Sequence, residues 1–160
     1  RAPSLLLDAG IHFAIVPHLP QTYLDGAAFY VNERPVIALT LRYDRLDNFW
    51  FTLFHELAHI ALGHEGAFFD RLDDERLMTV AEQQADTQAA DWLLTPEEYK
   101  RFVATDNLTS AAIRRFAAEQ RRHPAIVIGR LQHDGLLPYA RSSGLRVRIR
   151  EHLAPWIDGV

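Results

Sequence analysis

Near its start the chain carries three short apolar runs, residues 11–16 (IHFAIV), 27–31 (AAFYV) and 36–41 (VIALTL), rich in β-branched and aromatic side chains. Pro17, Pro20, Asp25, Gly26, Asn32 and Pro35 separate them. Apolar runs bounded by turn residues predict three β-strands. Pro35 heads the third run, and because proline cannot donate to a central ladder, residues 36–41 are expected at a sheet edge. Unpaired groups on that edge would suit an extended peptide. At Asp47 the pattern changes. Phe51, Phe54, Leu57, Ala58, Ala61 and Leu62 recur at steps of three and four, which predicts a helix over 47–62 with Asp47 or Asn48 as N-cap and Gly63 as its stop. A polar loop over 64–74 leads to a second helix over 75–94, with Val80, Ala85, Ala89, Trp92 and Leu93 expected inward. Thr95-Pro96-Glu97-Glu98 reads as N-cap, proline at the first helical position and acids in the first turn, opening a third helix over 96–103. Two more helices follow over 110–120 and 124–134, the latter opened by Pro124 and closed by Gly135. The LRVRIR stretch within 144–153 fits either a strand or a helix. The order predicts one α+β domain spanning 1–160, a small N-terminal β-sheet packed on a bundle of helices.

Composition narrows the function classes. At 160 residues with 48% hydrophobic and 24% charged side chains, the chain has the size and make-up of one globular domain. No apolar run reaches the ~18 residues of a membrane span. The net charge of −4 gives no electrostatic case for nucleic-acid binding by the domain alone. That charge is uneven: residues 1–110 carry 8 basic and 17 acidic side chains, and 111–160 carry 9 basic and 4 acidic, Arg141, Arg146, Arg148 and Arg150 among them. A solvated arginine-rich face answering the acidic middle accounts for this. Cysteine is absent, which suits a cytoplasmic location and leaves histidine and carboxylate as the ligands for any metal. The start Arg1-Ala2-Pro3 shows no leader and reads as a piece cut from a longer chain.

The chemistry concentrates in His55-Glu56-Leu57-Ala58-His59, an H-E-x-x-H pattern inside the predicted helix. Residues four apart lie ~40° apart around a helix and ~6 Å along it, so both imidazoles can face one Zn²⁺. Glu56, rotated ~100° from His55, is badly placed as a third ligand and well placed as general base toward a water at the metal. A catalytic zinc takes three protein ligands and keeps one position open. Glu82, early in the second helix, is the best candidate for the third, with Glu65 and Asp70 next. Asp86, four residues beyond Glu82, would accept the other ring N–H of a ligand histidine and fix its tautomer. His64 reads as a histidine favoured by the helix C-terminus. His12 and His18 flank the first strand and read as surface or core-edge residues. His123, His133 and Tyr139 are all candidates to stabilise an oxyanion.

The frame FTLFHELAHIALGH, followed by Glu82-x-x-Ala85-Asp86-x-x-Ala89-Ala90-x-x-Leu93-Leu94-x-Pro96, resembles the ImmA/IrrE family of metallo-endopeptidase domains. With Asp25 to Phe29 and the stretch from Pro35 to Trp50, it looks most like the gluzincin-like version behind a helix-turn-helix module in HigA-like antitoxins and related transcriptional regulators. The resemblance covers roughly residues 10–140 and is most specific over 50–96. It implies a zincin-like fold, zinc held by His55, His59 and Glu82, and Glu56 as base. A protein substrate, such as a transcriptional repressor or a toxin–antitoxin component, and a missing N-terminal helix-turn-helix domain are implied with it. The family pattern often has Glu where Gln84 stands and Met where Thr95 stands. A second reading is a non-catalytic zinc-binding regulatory domain that senses or binds a partner protein.

Overall fold

The computed structural model describes residues 2–17, 24–64, 75–139 and 147–157, with backbone alone at 75–79. His18, Glu65, Asp70, Arg141 and Arg146 lie outside the described residues, as does all but the first residue of the 64–74 loop.

The expected α+β architecture is what the chain adopts. Strands β1 (His12–Val16), β2 (Gly26–Val31) and β3 (Arg34–Thr40) form one sheet in the order β1-β3-β2. β2 and β3 make an antiparallel hairpin around Asn32 and Glu33, at φ 49° and 65°. Two positive values at the turn centre match the right-handed twist of the flanking strands. β1 runs parallel to β3. The third strand is therefore central, and the expected edge at residues 36–41 is corrected. Pro35 costs the sheet no hydrogen bond. It faces Tyr30 at a pair that does not exchange bonds with β2, and pairing with β1 starts one residue later, at His12 and Val36. β1 and β2 are the two outer strands. Gly26, Ala28 and Tyr30 turn their backbone groups away from β3.

Helix α1 (Ala2–Asp8) precedes the sheet and buries Pro3 and Leu6; its seven residues were too few to show a period. α2 (Leu46–Ala61) is the central element of the molecule. Phe49 and Leu53 join Ile15, Ile37 and Leu39 in a core beneath the sheet, whereas Trp50, Phe51 and Phe54 pack on a second, all-helical core. Helix α2 begins one residue before Asp47, so Asp47 is not its cap. Instead it is buried against Gly129, where an added Cβ would lie 2.6 Å from its Oδ2, and it pairs with Arg45. Ala61 and Leu62, expected inward, are exposed.

α3 (Glu75–Leu93) packs along α2 through Ala81, Ala85 and Ala89, all buried. Their small side chains let the two axes approach closely. Val80 and Trp92, expected on this face, are exposed. α4 (Pro96–Ala104), α5 (Ser110–Glu119) and α6 (Pro124–His133) complete the helical core. Phe102 and Phe116 stack there with ring centroids 4.4 Å apart, around the fully buried Ile113, Val127 and Leu131. Thr95 caps α4 by position only; Thr109 and His123 cap α5 and α6 with their side chains.

The ambiguous C-terminal stretch is helical at α7 (Arg150–Leu153), followed by a 3₁₀ turn, Ala154–Trp156. It closes over the start of α2. Asp44 Oδ1 accepts the N–H groups of Ile149 and Arg150, both at 2.8 Å. Leu46 donates its N–H to the Val147 carbonyl at 2.9 Å, and the Arg150 guanidinium donates to the Leu41 carbonyl at 2.9 Å.

Candidate metal centre

His55 and His59 leave one face of α2 with their Nε2 atoms 3.0 Å apart. Glu82 meets them from α3, its Oε2 3.1 Å from His55 Nε2 and its Oε1 3.4 Å from His59 Nε2. The three donor atoms lie within 4.8 Å of one another and could hold one metal ion. The alanine stripe of α3 explains how a glutamate reaches across: Ala81 and Ala85 bracket Glu82, and Ala58 lies fully buried on the α2 side. One turn beyond Glu82, Asp86 Oδ1 accepts the Nδ1–H of His55 at 2.8 Å. The four polar side chains predicted to cooperate on two helices are thus brought together.

Glu56 is not one of these donors, but it stands close enough to feel the charges of His55 and Glu82. It is buried, with 7% of its surface exposed, and lies against β2, where the outward-turned N–H of Ala28 bonds its carboxylate. Gly26 makes this approach possible, since a Cβ there would stand 2.7 Å from Thr52 Cγ2 and 2.9 Å from Glu56 Oε1.

The charges are strongly coupled. Burial lifts the Glu56 carboxyl from 4.5 to about 7, against the pull of His55. Burial alone would lower His55, but the carboxylates of Asp86 and Glu82 bond its protonated ring and hold it near 10. Burial and the charge of His55 push His59 down, while the hydrogen bond from His55 lowers Glu82. Glu82 and Asp86 thus favour positive charge on the ring of His55, as they would favour a cation beside it.

Sequence reasoning missed several residues of the site. Gly26 and Ala28 belong to it through a strand-to-helix contact that no local pattern displays. His64 stands at the end of α2 as expected, yet its Nδ1 is 3.1 Å from Nδ1 of His59, and its Nε2 is 3.1 Å from the Gln84 side-chain oxygen. Its position directly after Gly63 was the available signal. Of the candidate oxyanion donors, His123 is occupied as the cap of α6, its Nδ1 accepting the Ala125 N–H at 3.1 Å. His133 and Tyr139 instead border a cavity of about 150 Å³ together with Phe51, Leu93 and Ile126. Phe51 links this cavity to the metal centre, with its ring 6.0 Å from His133 and 6.3 Å from His55. His12 lies exposed at the start of β1, away from this chemistry.

Among the described residues no helix is long and apolar enough to cross a membrane. The family model of peptidase U49 matches residues 46–133, more than half of the chain, from the first residue of α2 to the last of α6. No curated protein is a significant match.

Proposed function

The chain belongs to the peptidase U49 family, and from that premise we propose that it is a zinc-dependent endopeptidase domain acting on a protein substrate. The observation that carries this reading is the convergence of His55, His59 and Glu82, with donor atoms 3.0–3.4 Å apart, beside a buried Glu56. Bonds of ~2.0–2.1 Å in a tetrahedral zinc site separate donors by about 3.3 Å. Two imidazoles and one carboxylate are also a donor set that zinc enzymes use while leaving a position open.

When bound, zinc supplies Lewis-acid polarisation of the scissile carbonyl and of the attacking water. Glu56 takes a proton from that water as its oxygen bonds the carbonyl carbon. It then delivers the proton to the leaving nitrogen as the C–N bond breaks, regenerating its carboxylate. Asp86 holds His55 in the tautomer that keeps Nε2 free for the metal. The N–H of Ala28 is taken by Glu56, so an extended peptide would pair with the outer edge of β2 beyond it, toward Tyr30. The cavity beside Phe51 would take one of its side chains. The resemblance to ImmA/IrrE domains and HigA-like regulators suggests a transcriptional repressor or a toxin–antitoxin component as substrate or partner, and a cytoplasmic setting. A regulatory domain with a purely structural metal has no use for a buried carboxylate of raised pKa beside the ligands, which favours the enzyme.

The test is elemental analysis of the purified protein with peptide hydrolysis by Glu56→Gln. Stoichiometric zinc is expected in both proteins, with turnover in the variant reduced ~10²- to 10⁴-fold. Absence of zinc after loading would remove the metal from the proposal, and unchanged turnover would remove Glu56 from the mechanism.

A further inference from the structure

Helix α2 ends in a way that gives the second histidine a hydrogen-bond partner of its own. Leu62 is the last residue of the helical turn, and Gly63 follows at φ +68°, a left-handed conformation that favours glycine. The N–H of Gly63 then donates to Ile60 O at 3.2 Å, and that of His64 donates to His59 O at 2.9 Å. This pair of bonds closes the helix so that the residue after the glycine folds back on the residue five before it, bringing their side chains together. Here those side chains are His64 and His59, their rings 5.2 Å apart and inclined at 62°.

We infer that His64 is a positioning residue for the ligand His59, accepting its Nδ1–H and passing its own Nε2–H to Gln84. The inference rests on the metal-site reading and deepens it. The direction of the protons follows from the chain of partners. Gln84 presents its side-chain oxygen to His64 Nε2 at 3.1 Å, so that nitrogen carries the proton and Nδ1 is left as acceptor. Opposite it at 3.1 Å, His59 Nδ1 must then be the donor. That leaves the lone pair of His59 on Nε2, the atom that meets His55 Nε2 and Glu82. A reversed Gln84 amide would send every proton the other way and protonate His59 Nε2, where the metal needs a lone pair. Each ligand histidine thus has its own acceptor: an anionic one, Asp86, for His55 and a neutral imidazole–amide pair for His59. Neutral partners orient the ring without adding negative charge to a centre that already holds Glu56, Glu82 and Asp86.

Three variants test this: His64→Phe keeps the ring without the acceptor, His64→Asn restores an acceptor near the place of Nδ1, and Gln84→Leu, at an exposed position, removes the far end. Zinc affinity is read by competition with a chromogenic chelator, and the Nδ1–H proton of His59 by NMR of the zinc-loaded protein. His64→Phe should lose roughly 10- to 100-fold in zinc affinity together with the protected Nδ1–H signal. His64→Asn should recover much of both, and Gln84→Leu should show a smaller loss. A His64→Phe protein that binds zinc as tightly as the unaltered one overturns the inference and leaves the metal reading standing. A loss that asparagine does not repair overturns it too, by showing that His64 acts through packing alone. If the unaltered protein takes up no zinc, the metal reading fails and the inference falls with it.

Discussion

Replacing Gly26 by alanine tests the joint between β2 and the metal helix with a single methyl group. The added Cβ would stand 2.7 Å from Thr52 Cγ2, 2.8 Å from Leu39 Cδ2 and 2.9 Å from Glu56 Oε1. Carbon atoms pack comfortably at ~3.5–4.0 Å, so two of these contacts must open by roughly 1 Å. Little can yield. Leu39 is almost wholly buried, and Thr52 and Glu56 lie between α2 and the sheet. The strand must move outward, or Glu56 must swing. Overpacking of this kind costs about 1–3 kcal/mol, and in a domain of this size each kcal/mol lowers Tm by roughly 2–4 °C. A misplacement of ~1 Å at a catalytic group can cost ~10²-fold in rate. Calorimetry, zinc content and peptide hydrolysis together separate the two effects: lowered Tm and turnover are expected, with zinc retained, because His55, His59 and Glu82 are not touched. Thr52→Ser, which deletes the closest atom, should return part of the lost stability when combined with Gly26→Ala, as two residues in contact show coupling. A Gly26→Ala protein of unaltered Tm and turnover would refute the strand-to-helix joint. So would a double variant that loses the simple sum of the two single changes.

Glu82→Ala should weaken zinc binding outright, and Asp86→Asn should reduce affinity or activity by about 10- to 100-fold; full zinc affinity in Glu82→Ala would place the third ligand elsewhere. Burial holds Glu56 at about 7, above its ordinary 4.5, and a protonated carboxyl cannot accept a proton, so kcat/KM should fall as pH falls. A bound cation favours the carboxylate, which places that limb between the two values; activity that rises on acidification would contradict the assignment of Glu56 as base. Glu33 sits at φ +65° in the hairpin turn, so Glu33→Gly should stabilise the protein by up to about 1 kcal/mol in chemical denaturation, and a loss would show that its side chain holds the turn.

The candidate centre was legible because most of its information is local. His55 and His59 share a face by helical geometry alone, and Glu82 and Asp86 repeat the same spacing on a second helix. What failed was the placement of elements relative to each other. Pro35 correctly marked a missing donor, but whether that matters depends on where pairing with β1 begins, and strand order is a tertiary property. Val80 and Trp92 were read as inward together with Ala85, Ala89 and Leu93, but Ala81, Ala85 and Ala89 set the phase of α3 because only small side chains let it lie close to α2. Ala85 and Ala89 were read as inward and are, while Val80 and Trp92, the larger apolar side chains beside them, fall outside the narrow stripe that the alanines define. Gly26 could be read as a turn residue but not as a gap shaped for Glu56. His64 was visible, and the glycine before it carried the clue to the direction in which it folds.

The clasp between Asp44, Leu46 and the segment around Ile149 has a consequence for how the molecule is made. Its hydrogen bonds join residues more than 100 positions apart, so while the chain is being synthesised the first turn of α2 waits on a partner that emerges long after the histidines. The entropy of closing so long a loop grows only slowly with its length, but contacts of such separation slow folding. Helices α2 and α3 can meet early and bring His55, His59 and Glu82 together. The clasp on the first turn of α2 is closed last, once residue 150 has been made, and until then Phe49 and Asp47 seat that turn in the core without it.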